Sequence, residues 1–385
     1  MKDISFIINH LGEERENYLD AITPPIFQTS NFAFKDVAAL KQAISDERRN
    51  LIYSRGNNPT VDILCKKVAA LEGTEEALAF ASGMAAISSS LISFLGSGDH
   101  IVSVRNNYSW ANMLMTRFLP RFGIETTFVD GRDAENFRKA AKPGTTVFYL
   151  ESPNSMTFEL QDLGAISRIA RELGIVTLID NSYSSPLIQT PADFGIDIVL
   201  HSASKYLGGH SDIVAGMACG SSDHIKKIFN NEFLGLGGII SPFNAWLMLR
   251  GLRTLPARIE RITSTTKIIL EYFEAHPMIS EVLHPFSVSN GQQELARKQM
   301  SAPGGLFSAR LDTSTANAEK FVNSLKHFLI GVSWGGHESL VFPAMSFDPE
   351  RTKDGYTGNL VRFYIGLDDS EVLISDLDQA FNSIR

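Results

Sequence analysis

Between residues 78 and 206 short apolar runs alternate with helix-like segments, and a polar residue stands just beyond nearly every run. Strand-like runs fall at residues 78–81, 100–104, 124–129, 145–150, 176–180 and 196–200, and residues 163–173 read as a helix. Such alternation predicts an α/β chain with a mostly parallel sheet and helices on both faces. Ligands of open sheets of this kind sit beyond the carboxyl ends of the strands. Tyr108, Glu151, Asp180 and Lys205 all follow strand ends, as a shared site requires.

The densest of these strand ends is Ser202-Ala203-Ser204-Lys205-Tyr206-Leu207-Gly208-Gly209-His210. A lysine among small hydroxyl residues and glycines has an approachable amine, and lysine forms Schiff bases with carbonyl compounds. Upstream, the run at 176–180 ends in the carboxylate of Asp180. A Schiff-base lysine with an aspartate for a pyridinium nitrogen is how proteins hold pyridoxal phosphate. Ser82-Gly83-Met84 opens a helix after a strand, where free N–H groups and the helix dipole favour an anion. Tyr53 and Arg55 precede the turn Gly56-Asn57-Asn58-Pro59, and arginine suits phosphate. Each signal alone is equally compatible with an ordinary turn or surface residue.

A formal net charge of −8 offers no basic face for nucleic acid. Two cysteines, Cys65 and Cys219, stand in unrelated contexts, with neither disulfide nor metal spacing, so no metal is expected. The first apolar run is too short for a signal peptide, and no apolar stretch is long enough to span a membrane, so the expected location is cytoplasmic. Residues 1–50 read as an N-terminal arm that either lies on a neighbouring subunit or drapes its own domain. Residues 51–240 form the expected cofactor-binding α/β domain, and residues 241–385 a smaller α+β domain. In the first of these Thr60 is the expected cap of a helix through Leu71. In the second, helices are expected at 242–250, 258–274, 317–325 and 371–381, with strands at 306–311 and 360–365. Arg362 alternates with apolar neighbours in the last strand, so it either points into a cleft or is a half-buried structural arginine.

Taken in order, Tyr53-Ser54-Arg55 with Asn58-Pro59-Thr60, Ser82-Gly83-Met84, Glu151-Ser152-Pro153, Asp180-Asn181-Ser182, Ser202-x-Ser204-Lys205-Tyr206, Arg250-Gly251-Leu252-Arg253-Thr254-Leu255, Ser333-x-Gly335-Gly336 and Arg362 form one pattern. From Tyr53 to the C-terminus the chain resembles the Cys/Met-metabolism, or transsulfuration, family of pyridoxal-phosphate (PLP) enzymes. The resemblance implies fold type I, the aspartate aminotransferase-like architecture. It implies that Lys205 binds the cofactor covalently and shuttles protons. Asp180 then pairs with the pyridine nitrogen, and Tyr108 stacks on the ring and helps proton transfer. Backbone groups of Gly83 and Met84, with Ser202 and Ser204, hold the phosphate. Tyr53 and Arg55 complete that cradle from a neighbouring subunit, which implies a homodimer at least, extending to a homotetramer. Ser333 and Arg362 grip the substrate's α-carboxylate.

Departures from the family bear on the reaction. Members that run γ-chemistry on cystathionine tend to carry charged residues where this chain has Ile52, Met113 and Val332. An apolar pocket recognises a second charged amino-acid head poorly, because an unpaired buried charge is costly. Val332 therefore resembles methionine γ-lyases, but those have cysteine at the place of Trp110. Trp334 and Ser155, where most relatives have Leu and Asn, lean towards bacterial cystathionine β-lyases. Trp334 is equally readable as packing, and Ser155 removes an amide that supports cofactor and Arg362. The expected activity is carbon–sulfur lysis of a sulfur-containing L-amino acid, by β- or γ-elimination to a thiol, a keto acid and ammonia. The alternative is γ-replacement, as in cystathionine γ-synthase or O-acylhomoserine sulfhydrylase.

Overall fold

The computed structural model describes residues 3–288, 290–346 and 358–385. Its larger sheet has seven strands: β1 (Glu76–Phe80), β2 (His100–Val104), β3 (Glu125–Val129), β4 (Thr145–Glu151), β5 (Val176–Asp180), β6 (Ile198–Ser202) and β7 (Gly216–Gly220). They lie in the order β1-β7-β6-β5-β4-β2-β3. The central pairs β2–β3, β2–β4, β4–β5 and β5–β6 are parallel, and β7 runs antiparallel to both β6 and β1. The expected mostly parallel sheet is present. The sequence reading lacks β7, because Gly216-Met217-Ala218-Cys219-Gly220 carries no β-branched residue. It is a strand through its place between β1 and β6, with every residue buried.

Both faces of this sheet are covered. Val102, Phe148, Ile179 and Val199 pack under the helices Pro59–Glu72 and Leu163–Leu173. On the other face, Ile101, Tyr149, Leu178 and Leu200 meet Ile87 and Leu91 of the helix Gly83–Ile92. Leu163–Leu173 shows how the sequence sets such a helix. Leu163, Ile166, Ile169 and Ala170 form one buried stripe, the Asp162 carboxylate accepts from Ala165 N at 2.9 Å, and Gly174 ends it at φ 69°.

The helix Pro59–Glu72 corrects one expectation. Its cap is Asn58, whose side-chain oxygen accepts from Thr60 N at 3.0 Å, with Pro59 in the first turn. Thr60 instead ties the arm to the domain, donating to Pro25 O at 2.9 Å and accepting from Phe27 N at 3.0 Å. The start of the arm also packs on its own chain. Ile7 and Ile8 of the helix Ile4–Asn9 are buried, and Lys67 Nζ donates to Ile7 O and Ile8 O at 2.9 and 3.1 Å. Glu13, fully buried, balances that lysine at 3.1 Å and also takes Arg253 at 3.1 Å. Beyond it Leu19, Ile22 and Val37 are exposed on the single chain.

The second sheet contains β8 (Ile279–Leu283), β9 (Leu306–Leu311), β10 (Leu329–Ile330), β11 (Leu340–Pro343) and β12 (Leu360–Tyr364), in the order β10-β11-β12-β9-β8. It packs on the helices Thr315–Ser324 and Ser370–Asn382 through Phe307, Phe321, Phe363 and Phe381. Between the sheets runs one helix, Pro242–Ala275, where the sequence reading placed two. Pro256 lies inside it, and an interior proline costs about 3 kcal/mol. Leu249, Leu252, Leu255, Ile259 and Ile262 continue the buried stripe across it. Each contributes about 1.5–3 kcal/mol, so burial wins. Among the described residues no helix is long and apolar enough to cross a membrane.

This helix touches the Lys205 segment directly. A Cβ on Gly251 would overlap the Gly208 carbonyl oxygen and stand 2.8 Å from that of Leu207. Arg258, buried, donates to Tyr206 O and Gly251 O, both at 2.8 Å, and to Thr254 Oγ1 at 3.1 Å. Gly251→Ala is therefore expected to destabilise the fold by about 1–3 kcal/mol through overpacking against backbone. A chemical-denaturation midpoint unchanged from wild type would contradict the close approach.

Candidate active site

Strand register builds the site. Glu151 and Asp180, the last residues of β4 and β5, are direct neighbours across the parallel pair, and Asp180 in turn lies beside Leu200 of β6. Ser202 follows Leu200 by one strand period, so it shares Asp180's face, the face covered by the helix Gly83–Ile92. Both carboxyls are buried, and burial pushes both towards the neutral form, Glu151 further because Asp180 stands beside it. Asp180 is drawn back by its bonds from Ser182, whose N donates to it at 2.9 Å, and by the charges of His201 and Lys205. Glu151 accepts from Tyr108 N at 2.6 Å and from Ser155. It thereby fixes where Tyr108 leaves β2's connecting loop. The Tyr108 hydroxyl is held above its usual range by burial and then by Asp180 and Glu151, so it keeps its proton at neutral pH.

At the other end, Ser82 caps the helix Gly83–Ile92, its hydroxyl accepting from Ala85 N at 3.0 Å. The first N–H groups of a helix have no carbonyl within it to bond, which leaves those of Gly83 and Met84 open to an anion. A Cβ on Gly83 would stand 2.9 Å from Ser202 Cα and Cβ, so only glycine lets the helix end and β6 meet. Ser202 N donates to Ser182 Oγ at 2.6 Å, which joins this end to the turn after Asp180. Ser204 Oγ accepts from Ala215 N at 3.0 Å and holds the Lys205 segment against the approach to β7.

Lys205 Nζ lies 2.5 Å from Ser333 Oγ and 5.5 Å from the centre of the Trp334 ring. Burial, and then the Arg362 charge, push its amine down to about 8 against the opposing pull of Asp180. Gly335, at φ 90°, allows this approach, since a Cβ there would stand 2.8 Å from the Lys205 backbone. Trp334 is buried and packs edge-on against Tyr206 at 5.5 Å, so it both fills the core and faces the lysine.

Arg362 donates to Ser155 O at 3.2 Å and to Val332 O at 2.7 Å, and lies over the Phe342 ring at 5.1 Å. Two sequence expectations are refined here. Ser155 supports Arg362 through its carbonyl, which no side-chain change removes, while its hydroxyl serves Glu151. Val332 contributes a carbonyl, and its side chain is 78% exposed on the single chain. Tyr53 and Arg55 stand apart from the phosphate end. They lie on the arm side, where Tyr53 pairs with Asn31, and Arg55 stacks over the Tyr53 ring at 5.5 Å. Both are exposed on the single chain.

Open N–H groups, a cradle that admits no Cβ, a buried carboxylate and a shielded amine fit pyridoxal phosphate, with its anionic, pyridine and aldehyde ends. The cofactor-free protein is expected to capture pyridoxal phosphate at a rate that rises with pH and levels off above about 8, as Lys205 loses its proton. In Arg362→Ala one depressing charge is gone, so the midpoint should move upward; absorbance stopped-flow showing an unmoved midpoint would contradict the coupling.

Residues 6–382 match the family model described as Cys/Met metabolism PLP-dependent enzyme. The chain is 36% identical to L-methionine gamma-lyase of Treponema denticola, covering 97% of this chain and 96% of that protein. It is 38% identical to chloroplastic cystathionine gamma-synthase 1 of Arabidopsis thaliana, over 97% of this chain and 68% of that one. The crystal structure of metB from Corynebacterium glutamicum superposes with a TM-score of 0.93 at 32% identity, covering 100% of this chain and 99% of that one.

Proposed function

Because the chain belongs to the Cys/Met metabolism PLP-dependent enzyme family, with its fold type I architecture, we propose that it is a carbon–sulfur lyase acting on a sulfur-containing L-amino acid. The observation that carries this reading is the convergence on one amine. Lys205 stands between Ser333 and Asp180, with Arg362 close enough to lower its proton affinity. The bound cofactor would supply the electron sink that weakens the substrate's Cα–H bond.

The chain's own residues supply the rest. Gly83, Met84, Ser202 and Ser204 would hold the phosphate, and Asp180 would keep a proton on the pyridine nitrogen. Arg362 and Ser333 take the α-carboxylate and turn the Cα–H bond towards Lys205. The Lys205 amine would accept the Cα proton; an amine that is half neutral near pH 8 suits that task. The carbon–sulfur bond then breaks with its electron pair on sulfur, and Tyr108, still protonated, is placed to protonate the thiolate. Residues 51–240 are the cofactor-binding domain of this reading, residues 1–50 the arm and residues 241–385 the substrate-side domain. Tyr53 and Arg55, exposed just after the arm, reach the phosphate of a neighbouring copy in a homodimer or homotetramer.

Ile52, Met113 and Val332 disfavour a second charged amino-acid head on the substrate, while Trp334 and Ser155 lean the reading towards β-elimination through their resemblance to bacterial cystathionine β-lyases. The second reading, γ-replacement on an activated homoserine, is favoured by the 38% identity to a cystathionine gamma-synthase. The keto acid formed from L-cystathionine separates them. Pyruvate supports the β-lyase, oxobutyrate supports γ-elimination, and consumption of an O-acyl homoserine only with an added thiol supports replacement. Lys205→Ala is expected to abolish turnover while still binding pyridoxal phosphate weakly, and substantial remaining lyase turnover would sink the assignment. Arg362→Ala is expected to raise KM at least about tenfold, the size of a lost hydrogen bond to a charged group. An unchanged KM would remove the carboxylate role.

A further inference from the structure

The loop of residues 333–338 brings the second sheet to the Lys205 segment, and it is held from two directions. On its own side, Tyr364 Oη donates to Gly336 O at 2.9 Å and Leu367 N donates to His337 O at 2.8 Å. Asp368 accepts from Ser339 Oγ at 2.6 Å and from Ser339 N at 3.2 Å. On the opposite side the tie is Glu338. Its two carboxylate oxygens take the Ser211 hydroxyl at 2.6 and 2.8 Å, and His337 Nδ1 stands 3.3 Å from one of them. A Cβ on Gly336 would overlap both the Ser211 hydroxyl and the Glu338 carboxylate, so the two segments close over a glycine. Ser211 sits at φ 56°, a left-handed conformation that a serine adopts only when its surroundings hold it there.

We propose that Glu338, through Ser211, is a positioning residue for the substrate's carboxylate. The same loop carries Ser333, 2.5 Å from Lys205 Nζ, and follows Val332, whose carbonyl takes Arg362 at 2.7 Å. Ser211 lies on the chain just beyond Lys205, where Arg258 already anchors Tyr206 O. The clasp therefore sets both carboxylate-binding groups against the reacting amine from the one side that their own sheet does not control. Glu338 touches neither substrate nor amine in this arrangement; it acts through the loop. The inference rests on the reading that Ser333 and Arg362 receive the α-carboxylate.

The test compares Glu338→Ala, Glu338→Gln and Ser211→Ala in the full-length, PLP-loaded protein. Glycine, which has the amine and carboxylate but no leaving group, is titrated against the absorbance of the bound cofactor. Kinetics on the accepted sulfur amino acid run alongside. Glu338→Ala and Ser211→Ala are each expected to weaken glycine and raise KM about tenfold, as for one lost hydrogen bond to a carboxylate. Their kcat should stay within about threefold and their thermal midpoint within the usual small range of a surface substitution. Glu338→Gln keeps an acceptor oxygen for Ser211 and is expected to recover most of the affinity. Unchanged glycine affinity in Glu338→Ala, with Arg362→Ala weakening it, overturns the clasp alone. A glycine affinity that Arg362→Ala also leaves unchanged removes the carboxylate reading beneath it. A fall in thermal midpoint and kcat together, with Gln no better than Ala, assigns Glu338 a purely structural role and overturns the proposal as well.

Discussion

The register of three parallel strands is the constraint on which the rest depends. Because β4 and β5 end level and β6 runs one strand period further, Glu151, Asp180 and Ser202 share one face at the sheet's carboxyl edge. A slip of one residue in β5 would turn Asp180 to the opposite face and into the apolar layer beneath the helix Leu163–Leu173. The carboxyl edge is also where burial and like charge coincide. Two carboxyls side by side without water are costly, and the turn at Ser182 and the amine of Lys205 offset that cost. In the proposed reading, a positively charged ring nitrogen beside Asp180 would offset it further.

The Lys205 segment depends on a second constraint, the close approach of backbone to backbone. Gly251 lets the long helix touch the carbonyls of Leu207 and Gly208, Gly335 lets the loop of residues 333–338 touch Lys205 itself, and Gly83 lets a helix end meet β6. Arg258 fills the remaining donor positions around the turn, at a cost in desolvation that pushes its guanidinium down to about 10. These contacts hold the backbone from which the amine extends, and the amine itself donates to Ser333 Oγ.

Much of this was legible in the chain. The apolar runs of β2, β4, β5 and β9 and the stripe of Leu163–Leu173 are set by local periodicity, so their limits agree closely with the structure. Lys205 and Asp180 stood out as a pair, because a lysine and a carboxylate at two strand ends is the pattern that holds pyridoxal phosphate. What escaped was decided at a distance. β7 is a strand because of its neighbours, and the helix runs through Pro256 because burial on both sides outweighs one missing hydrogen bond. The carbonyls of Ser155 and Val332 that hold Arg362 have no sequence signature, since every residue carries one. Glu338 and Arg258 could have been found only by knowing which loop each faces.

The order of strands in the larger sheet has a consequence for how the chain is made. β1 pairs with β7 and, through Phe80, with Ile239, both far downstream, and Glu13 meets Arg253, its partner on the long helix, only across most of the chain before that helix. At ordinary elongation speeds, β1 leaves the ribosome on the order of ten seconds before β7 exists to receive it. Through that interval Leu78 and Phe80, later buried, face solvent on an unpaired edge. The nascent protein is thus most exposed to wrong pairing early in synthesis, since the longest wait in the C-terminal sheet, that of β9 for β12, spans a much shorter stretch of chain.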